Sequence, residues 1–354
     1  MFDMEDGSNA LTTLTANGAS INAYTSTDIT AYHFECAEKF SGNLETLLTF
    51  VSKPFFTPDS VDKEQGIIGQ EICMVEDDPD YCLYYGLMKS LFRCNPLRDP
   101  VAGTVESITQ ISAEMLYDCH RVFYNPSNMV LSVAGDVDPS EIFDMAQRIL
   151  PEEQREIPER DYGPRESLQP ETSFFSKEMD VSLPLFLAGC KAEPAGYGPD
   201  SLRLELTSAL ALEILAGHSS PLFFRLYAEG LVNSDFSASF DSAAGSAYTM
   251  FGGESREPER VFDEVKQEII TLSEAGPDAA LFGRVKKAAI GSQIRALNSF
   301  GTICGSIAGG FFKGYNAFEA PGILSEITEG DVASFFRECL LPDNMALSVI
   351  LPNR

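Results

Sequence analysis

Histidine and basic side chains are what this chain has least of. Its 354 residues include three histidines, and 25 lysines and arginines against 53 acids, for a formal charge of −28. Nucleic acids and anionic membrane surfaces are bound through stripes of Lys and Arg, so neither is expected as a partner. The acid excess reads as a solvated surface that keeps the chain soluble, with a weak preference for basic ligands. His33, His120 and His218 are scattered, and each is expected at the surface or in a satisfied core position, not on a metal. The eight cysteines form no Cys-x-x-Cys pair. That excludes a zinc knuckle or a disulfide framework and points to a reducing compartment. No apolar run reaches the ~18 residues of a membrane span; the nearest, 301–312, is short and glycine-rich. Asp3, Glu5 and Asp6 stand where a signal peptide carries bases. A cytoplasmic protein without a membrane anchor is the expectation.

What is present is a repeat. Pro126-Ser127-Asn128-Met129-Val130-Leu131-Ser132-Val133 returns as Pro342-Asp343-Asn344-Met345-Ala346-Leu347-Ser348-Val349. At the same offset Ile108 and Ile111 map onto Leu324 and Ile327. Self-similarity at one fixed offset marks a duplicated unit. If that offset is the length of one unit and the second copy ends at Arg354, the second copy begins near 138. The first copy is then short of roughly a third of its unit, at its start. Hydrophobic content of 44% provides material for two cores.

The expected division is a first domain at 1–150, a linker at 151–170 and a second domain at 171–354. The linker is where prolines and charges cluster, with Glu152, Glu153, Arg155, Glu156, Pro158, Glu159 and Arg160. Residues 20–36 read as a β-hairpin around Ser26-Thr27-Asp28. A helical stripe follows at 44–50, then a helix opened by Thr57 as N-cap and Pro58 at its first position. Residues 129–134 read as a strand, and Asp138 caps a helix over Ile142, Met145, Ala146 and Ile149. A strand at 183–188 and helices at 202–215 and 261–273 complete the outline. The fold class is α+β: two homologous layered domains, each an antiparallel-rich sheet packed by helices, with the first incomplete.

Two carboxylates stand out on the Thr57-capped helix, Glu64 and Glu71. Seven residues place them on one face but about 10.5 Å apart along the axis. A zinc ligand oxygen lies about 2.0–2.2 Å from its ion, so one could be a ligand and the other an outer-shell group, not both ligands. Spacing alone fits exposed acids on an amphipathic helix better. Gly66 and Gly69 each weaken that helix by about 1 kcal/mol relative to Ala, which points to a close approach to its backbone.

The residues around these carboxylates resemble the insulinase/pitrilysin-type zinc peptidases. Asn22-Ala23-Tyr24-Thr25-Ser26, with Asp28, Thr30 and Tyr32, looks like that family's substrate-binding hairpin. Glu64 through Glu71, followed by Glu76-Asp77-Asp78-Pro79, looks like its helix bearing the third zinc ligand. The stretches from Asn95 to Thr104, from Tyr124 to Met129 and from Gly135 to Asp138 continue the match. The resemblance implies a zinc site of an inverted His-x-x-Glu-His plus a distal glutamate, here Glu71 as the metal ligand, with Glu64 as a catalytic carboxylate of the same helix. It implies a substrate strand at Asn22 and Ala23, and an arginine of the second domain steadying the peptide. Arg225 fits that place and fits equally a surface helix cation; the accompanying tyrosine position reads Leu231 or Asn233. Family spacing puts the His-x-x-Glu-His just upstream of Met1, inside the segment the repeat leaves missing. The expectation is an endopeptidase relative that is inactive as it stands. It would bind peptides and pair, as a homo- or heterodimer, with a homologous half; the alternative is a non-catalytic peptide-binding subunit of an active homologue.

Overall fold

The computed structural model describes residues 3–151 and 156–353. Glu152, Glu153 and Arg155, part of the expected linker, lie outside the described residues. In chain order the elements begin with α1 (Ala10–Ala16), β1 (Ser20–Thr25), β2 (Thr30–Glu35), α2 (Phe40–Ser52), α3 (Pro58–Glu76) and α4 (Pro79–Leu91). They continue with α5 (Val105–Ile108), α6 (Ala113–Phe123), α7 (Pro139–Ile149), β3 (Phe174–Met179), β4 (Leu185–Ala192), α8 (Pro199–Ala216) and α9 (Pro221–Ala228). The chain ends with β5 (Ser237–Ala243), β6 (Ser246–Glu254), α10 (Pro258–Ala275), α11 (Ala279–Ala296), α12 (Phe300–Lys313), α13 (Ala320–Glu326), α14 (Glu329–Glu338) and β7 (Ala346–Pro352). Short 3-10 turns lie at Pro96–Arg98, Pro126–Asn128, Ala317–Glu319 and Pro342–Asn344. No described helix is long and apolar enough to cross a membrane.

The chain divides into two compact units, residues 1–74 with 101–161, and residues 75–100 with 162–354. The contiguous division expected from the sequence differs in one segment: 75–100 clusters with the C-terminal unit. The reason is visible in how that unit's sheet is covered. Its five strands run in the order β3-β7-β4-β6-β5, with β3 and β7 parallel and the other pairs antiparallel. Strand side chains alternate between faces. Phe186, Ala188 and Cys190 of β4, Phe251 of β6 and Leu347 and Val349 of β7 join a core with α8, α10, α13 and α14. The intervening Tyr248 and Ala346 face the other way, onto Leu87, Met88 and Leu91 of α4 and onto Phe92 and Leu97. Gly86 makes that contact possible, because a Cβ there would run into the Phe175 ring and sit 2.7 Å from Ser348 Oγ. Ser348 Oγ donates to the Leu83 carbonyl at 2.9 Å. Unit 2 is therefore three layers.

Unit 1 holds the predicted hairpin, β1 antiparallel to β2 with Asn22 opposite His33 and Ala23 opposite Tyr32. Thr57 caps α3 as expected, its Oγ1 accepting from Ser60 N at 3.1 Å, and Asp138 caps α7. The strand expected at 129–134 is absent; the segment has no ladder partner among the described residues. A strand is a paired state, and β-prone residues without a neighbouring strand have nothing to pair with. The unit's helices are correspondingly open: α6 and α7 bury no residue, and Phe143 of α7 is 74% exposed.

The order of elements is the same in both halves of the chain. Hairpin β1–β2, helices α2, α3 and α4, an Asn-capped 3-10 turn, α5, α6 and a Pro-led 3-10 turn match β5–β6, α10, α11 and α12, a like turn, α13, α14 and the turn before β7.

Candidate functional site

Glu64 and Glu71 lie on α3 within about 20° of one another on the helical wheel. Glu64 is half-buried and Glu71 exposed. The helix is held in unit 1 by Val61 and Ile72, which are buried. Gln65 adds a clamp, its Nε2 donating to the carbonyls of Ile108 at 2.9 Å and Ile111 at 2.8 Å. Gly66, Gly69 and Cys73 sit roughly half a turn away from the two glutamates. They line a groove of about 610 Å³ whose other wall is Val105 and Ile108. A Cβ at Gly66 would meet nothing within 4 Å, and one at Gly69 only Ile108 Cδ1 at 3.8 Å. The close approach that the two glycines led us to expect is thus not made at Gly66, where the helix backbone borders open space.

Asn22 and Ala23 are on β1, Asn22 with its Oδ1 accepting from Ala23 N at 2.8 Å. Tyr32, opposite Ala23, shares a hydroxyl contact of 2.9 Å with Tyr124 of the same unit. Burial and that contact push the Tyr124 hydroxyl well above the ordinary phenol range. Arg225 belongs to unit 2, on α9, and its guanidinium is already engaged by Glu264 at 3.2 Å and Glu268 at 3.4 Å. Asn22, Ala23, Glu64 and Glu71 therefore fall in one unit and Arg225 in the other.

The three histidines make contacts within the protein. His33 is on β2 with its ring edge-on to Tyr24. His120 Nε2 lies 2.8 Å from the Val51 carbonyl and its ring stacks on Tyr124. His218 Nε2 lies 3.1 Å from the Ser234 carbonyl. A peptidase zinc ion is held by three protein donors, with imidazole prominent among them. Among the described residues no three His, Cys, Asp or Glu side chains could hold a metal ion together. The donors on α3 are carboxylates of a single helix, and the residues present do not make a zinc site.

Sequence reasoning missed two features. A cavity of about 640 Å³ in unit 2 lies between α8 and the edge strand β5, lined by Glu205, Leu212, His218, Ser239, Asp241 and Lys313 among others. Lys313 and Tyr315 both bind Glu205, at 2.6 and 3.0 Å. The second is a buried ion pair between Lys191 and Glu166. Neither has a local signature, because each joins residues distant in sequence.

Comparison with known proteins agrees with this architecture. The family model described as insulinase (peptidase family M16) matches residues 4–105, and that described as the peptidase M16 inactive domain matches residues 110–289. An uncharacterized zinc protease of Bacillus subtilis, YmfH, is 34% identical over 359 residues, spanning 99% of this chain and 82% of that protein. An uncharacterized zinc protease of Rickettsia felis is 27% identical over 271 residues, spanning 73% of this chain and 61% of that one. Among solved structures, an M16-like peptidase from Alicyclobacillus acidocaldarius superposes with a TM-score of 0.93 at 31% identity, covering 99% of this chain and 84% of that one. A protease from Helicobacter pylori shares the fold, with a TM-score of 0.86 at 17% identity over 99% of this chain and 86% of its own. With one family model across the first part of the chain, another across more than half of it, and YmfH matching along nearly the whole length, the chain belongs to the insulinase (M16) peptidase family.

Proposed function

We propose that this chain binds peptides and contributes one carboxylate, Glu71, to a zinc endopeptidase site whose imidazole donors and general base come from polypeptide outside it. The observation that carries this reading is the pairing of Glu64 and Glu71 on one face of α3, with no third donor beside them among the described residues. Glu64 would act as an outer-shell carboxylate beside the ligand. The chain by itself is then without hydrolytic activity. An extended peptide would add to the open edge of β1, taking hydrogen bonds from the backbone at Asn22 and Ala23. Zinc enters through the names of the family's relatives and not through any cluster among the described residues.

The parallel order of elements supports an internal duplication in which the first copy lacks the counterparts of β3, β4 and α8. A cytoplasmic location and pairing with a homologous half complete the proposal. Fold neighbours that this chain covers only in part, such as the periplasmic protease PqqL of Escherichia coli at 41% of its length, are compatible with such pairing. The second reading, a non-catalytic partner subunit, is favoured by the open apolar faces of α6 and α7, which a homologous half could cover.

The test is zinc affinity in a protein extended at its N-terminus by a His-x-x-Glu-His segment. Glu64→Gln is expected to weaken zinc by about 10–100-fold, as removal of an outer-shell group does, and Glu71→Gln by more. Zinc affinity indifferent to Glu71→Gln would remove Glu71 from the site. Full peptidase activity of the unextended chain with added zinc would overturn the whole reading.

A further inference from the structure

Glu166 occupies an arrangement that no helix or strand requires. Its Oε2 accepts from Arg93 N at 2.9 Å, and its Oε1 accepts from Cys94 N at 2.6 Å and Asn95 N at 2.7 Å. Lys191 Nζ donates to Oε2 at 3.3 Å. Three successive backbone N–H groups converging on one anion form a nest, a fixed concentration of positive partial charge. The fourth donor strengthens it. Lys191 is 3% exposed, with the Phe92 ring on another side at 5.4 Å. A buried ammonium is held only where a counter-charge is supplied, and Glu166 is its salt-bridge partner among the described residues.

All these groups belong to unit 2 but come from three separate stretches. Residues 93–95 end the α4-bearing arm, Glu166 lies in the segment that leads to β3, and Lys191 is on β4. Other contacts run alongside. Thr172 N donates to the Ser90 carbonyl at 3.0 Å, and Asn95 Nδ2 donates to the Ala244 carbonyl at 3.0 Å in the β5–β6 turn. The Tyr162 ring lies against Gly245 of the same turn.

We propose that residues 93–95 and Lys191 form a carboxylate-binding site occupied by the chain's own Glu166, and that this occupancy latches the α4 arm onto the sheet. The arm's apolar contacts hold α4 and Leu97, but they leave the backbone N–H groups of residues 93–95 between them without a partner. Glu166 supplies that partner, and the nest makes arm, connecting segment and sheet order together. The ligand class is a monocarboxylate. Emptying the site frees four donors that a small carboxylate from solution can satisfy.

The experiment is amide hydrogen exchange on the full chain, comparing the native protein with Glu166→Ala. Exchange at Arg93, Cys94 and Asn95 is expected to rise about tenfold or more, the equivalent of losing one charge-assisted hydrogen bond. Sodium acetate added to Glu166→Ala is expected to restore protection saturably, whereas sodium chloride at equal ionic strength is not. Lys191→Met, which keeps the three N–H contacts, is expected to show a smaller rise and serves if Glu166→Ala does not fold. Unchanged exchange at the three amides in both variants would overturn the latch. A rise in Glu166→Ala that acetate fails to reverse would overturn the binding site and leave Glu166 a packing residue only.

Discussion

The two halves of the chain follow the same run of elements, yet the C-terminal unit closes around a core and the N-terminal unit stays open. In unit 2, α14 buries Val332, Ala333, Phe335 and Phe336; in unit 1, α6 stands at the same place and buries nothing. Both begin at a Ser or Thr cap and both are amphipathic in sequence. The difference lies beneath them. β7 runs between β3 and β4, whereas residues 129–134, at the matching position, have no strand beside them among the described residues. An apolar stripe makes a helix worth forming, but burial needs an opposing surface. Polar atoms tell the same story. The described buried side-chain atoms without a hydrogen bond belong to Asn43, Asn125 and Ser132, all in unit 1.

The comparison is most sharply broken or sustained by hydrogen exchange. Amides of β7 are expected to open only with the unit as a whole, and those of 129–134 by local motion, a difference of at least about a thousandfold in protection. Equal protection would show that residues 129–134 pair with a neighbouring strand in solution. Truncation in the two units comes next. Phe336→Ala is expected to cost about 3–5 kcal/mol in urea denaturation, and Phe143→Ala within about 0.5 kcal/mol of nothing. A large loss from Phe143→Ala would mean that α7 is covered in solution.

A glycine-to-alanine pair has opposite signs in the two units. Gly86→Ala drives a methyl into Phe175 and Ser348 and is expected to destabilise by about 1–3 kcal/mol. Gly66→Ala faces open space and is expected to stabilise α3 by up to about 1 kcal/mol. Loss of stability in Gly66→Ala would mean that the groove is occupied in solution. The smallest effect is that of pH. Burial alone would raise the Glu166 carboxyl, but the N–H groups of Arg93, Cys94 and Asn95 and the Lys191 ammonium outweigh it, so it titrates below the usual carboxylate range. Its contribution is therefore complete above the ordinary glutamate range and lost as pH falls through the lowered value. Native protein should lose stability over that acid window relative to Glu166→Gln, measured as the difference between their denaturation midpoints.

Much of this was legible in the order of residues alone. The hairpin, the caps at Thr57 and Asp138, the α+β class and the family followed from turn residues, helix-start signals and ordered motifs, all local. The strand at 129–134 was misread because its residues are β-prone while its pairing is not local. The cut between domains missed the α4 arm because Leu83, Leu87 and Leu91 specify an apolar face without naming the sheet it covers. Glu166 sat in a charged, proline-rich stretch that looked like linker throughout. In the site, Glu64 and Glu71 could be placed on one helix face from spacing, whereas the groove on the opposite face depended on where α5 packs.

The sequence by itself determined where the first hairpin and the capped helices form, and how few histidines the chain carries. Only the tertiary structure decided that residues 75–100 close the far side of the C-terminal sheet and that Glu166 is held by three amides and a buried lysine. The reason is physical. Periodicity and capping act over a few residues, while a core and a buried charge pair are set by the meeting of segments far apart along the chain, each with a pattern that several partners would satisfy.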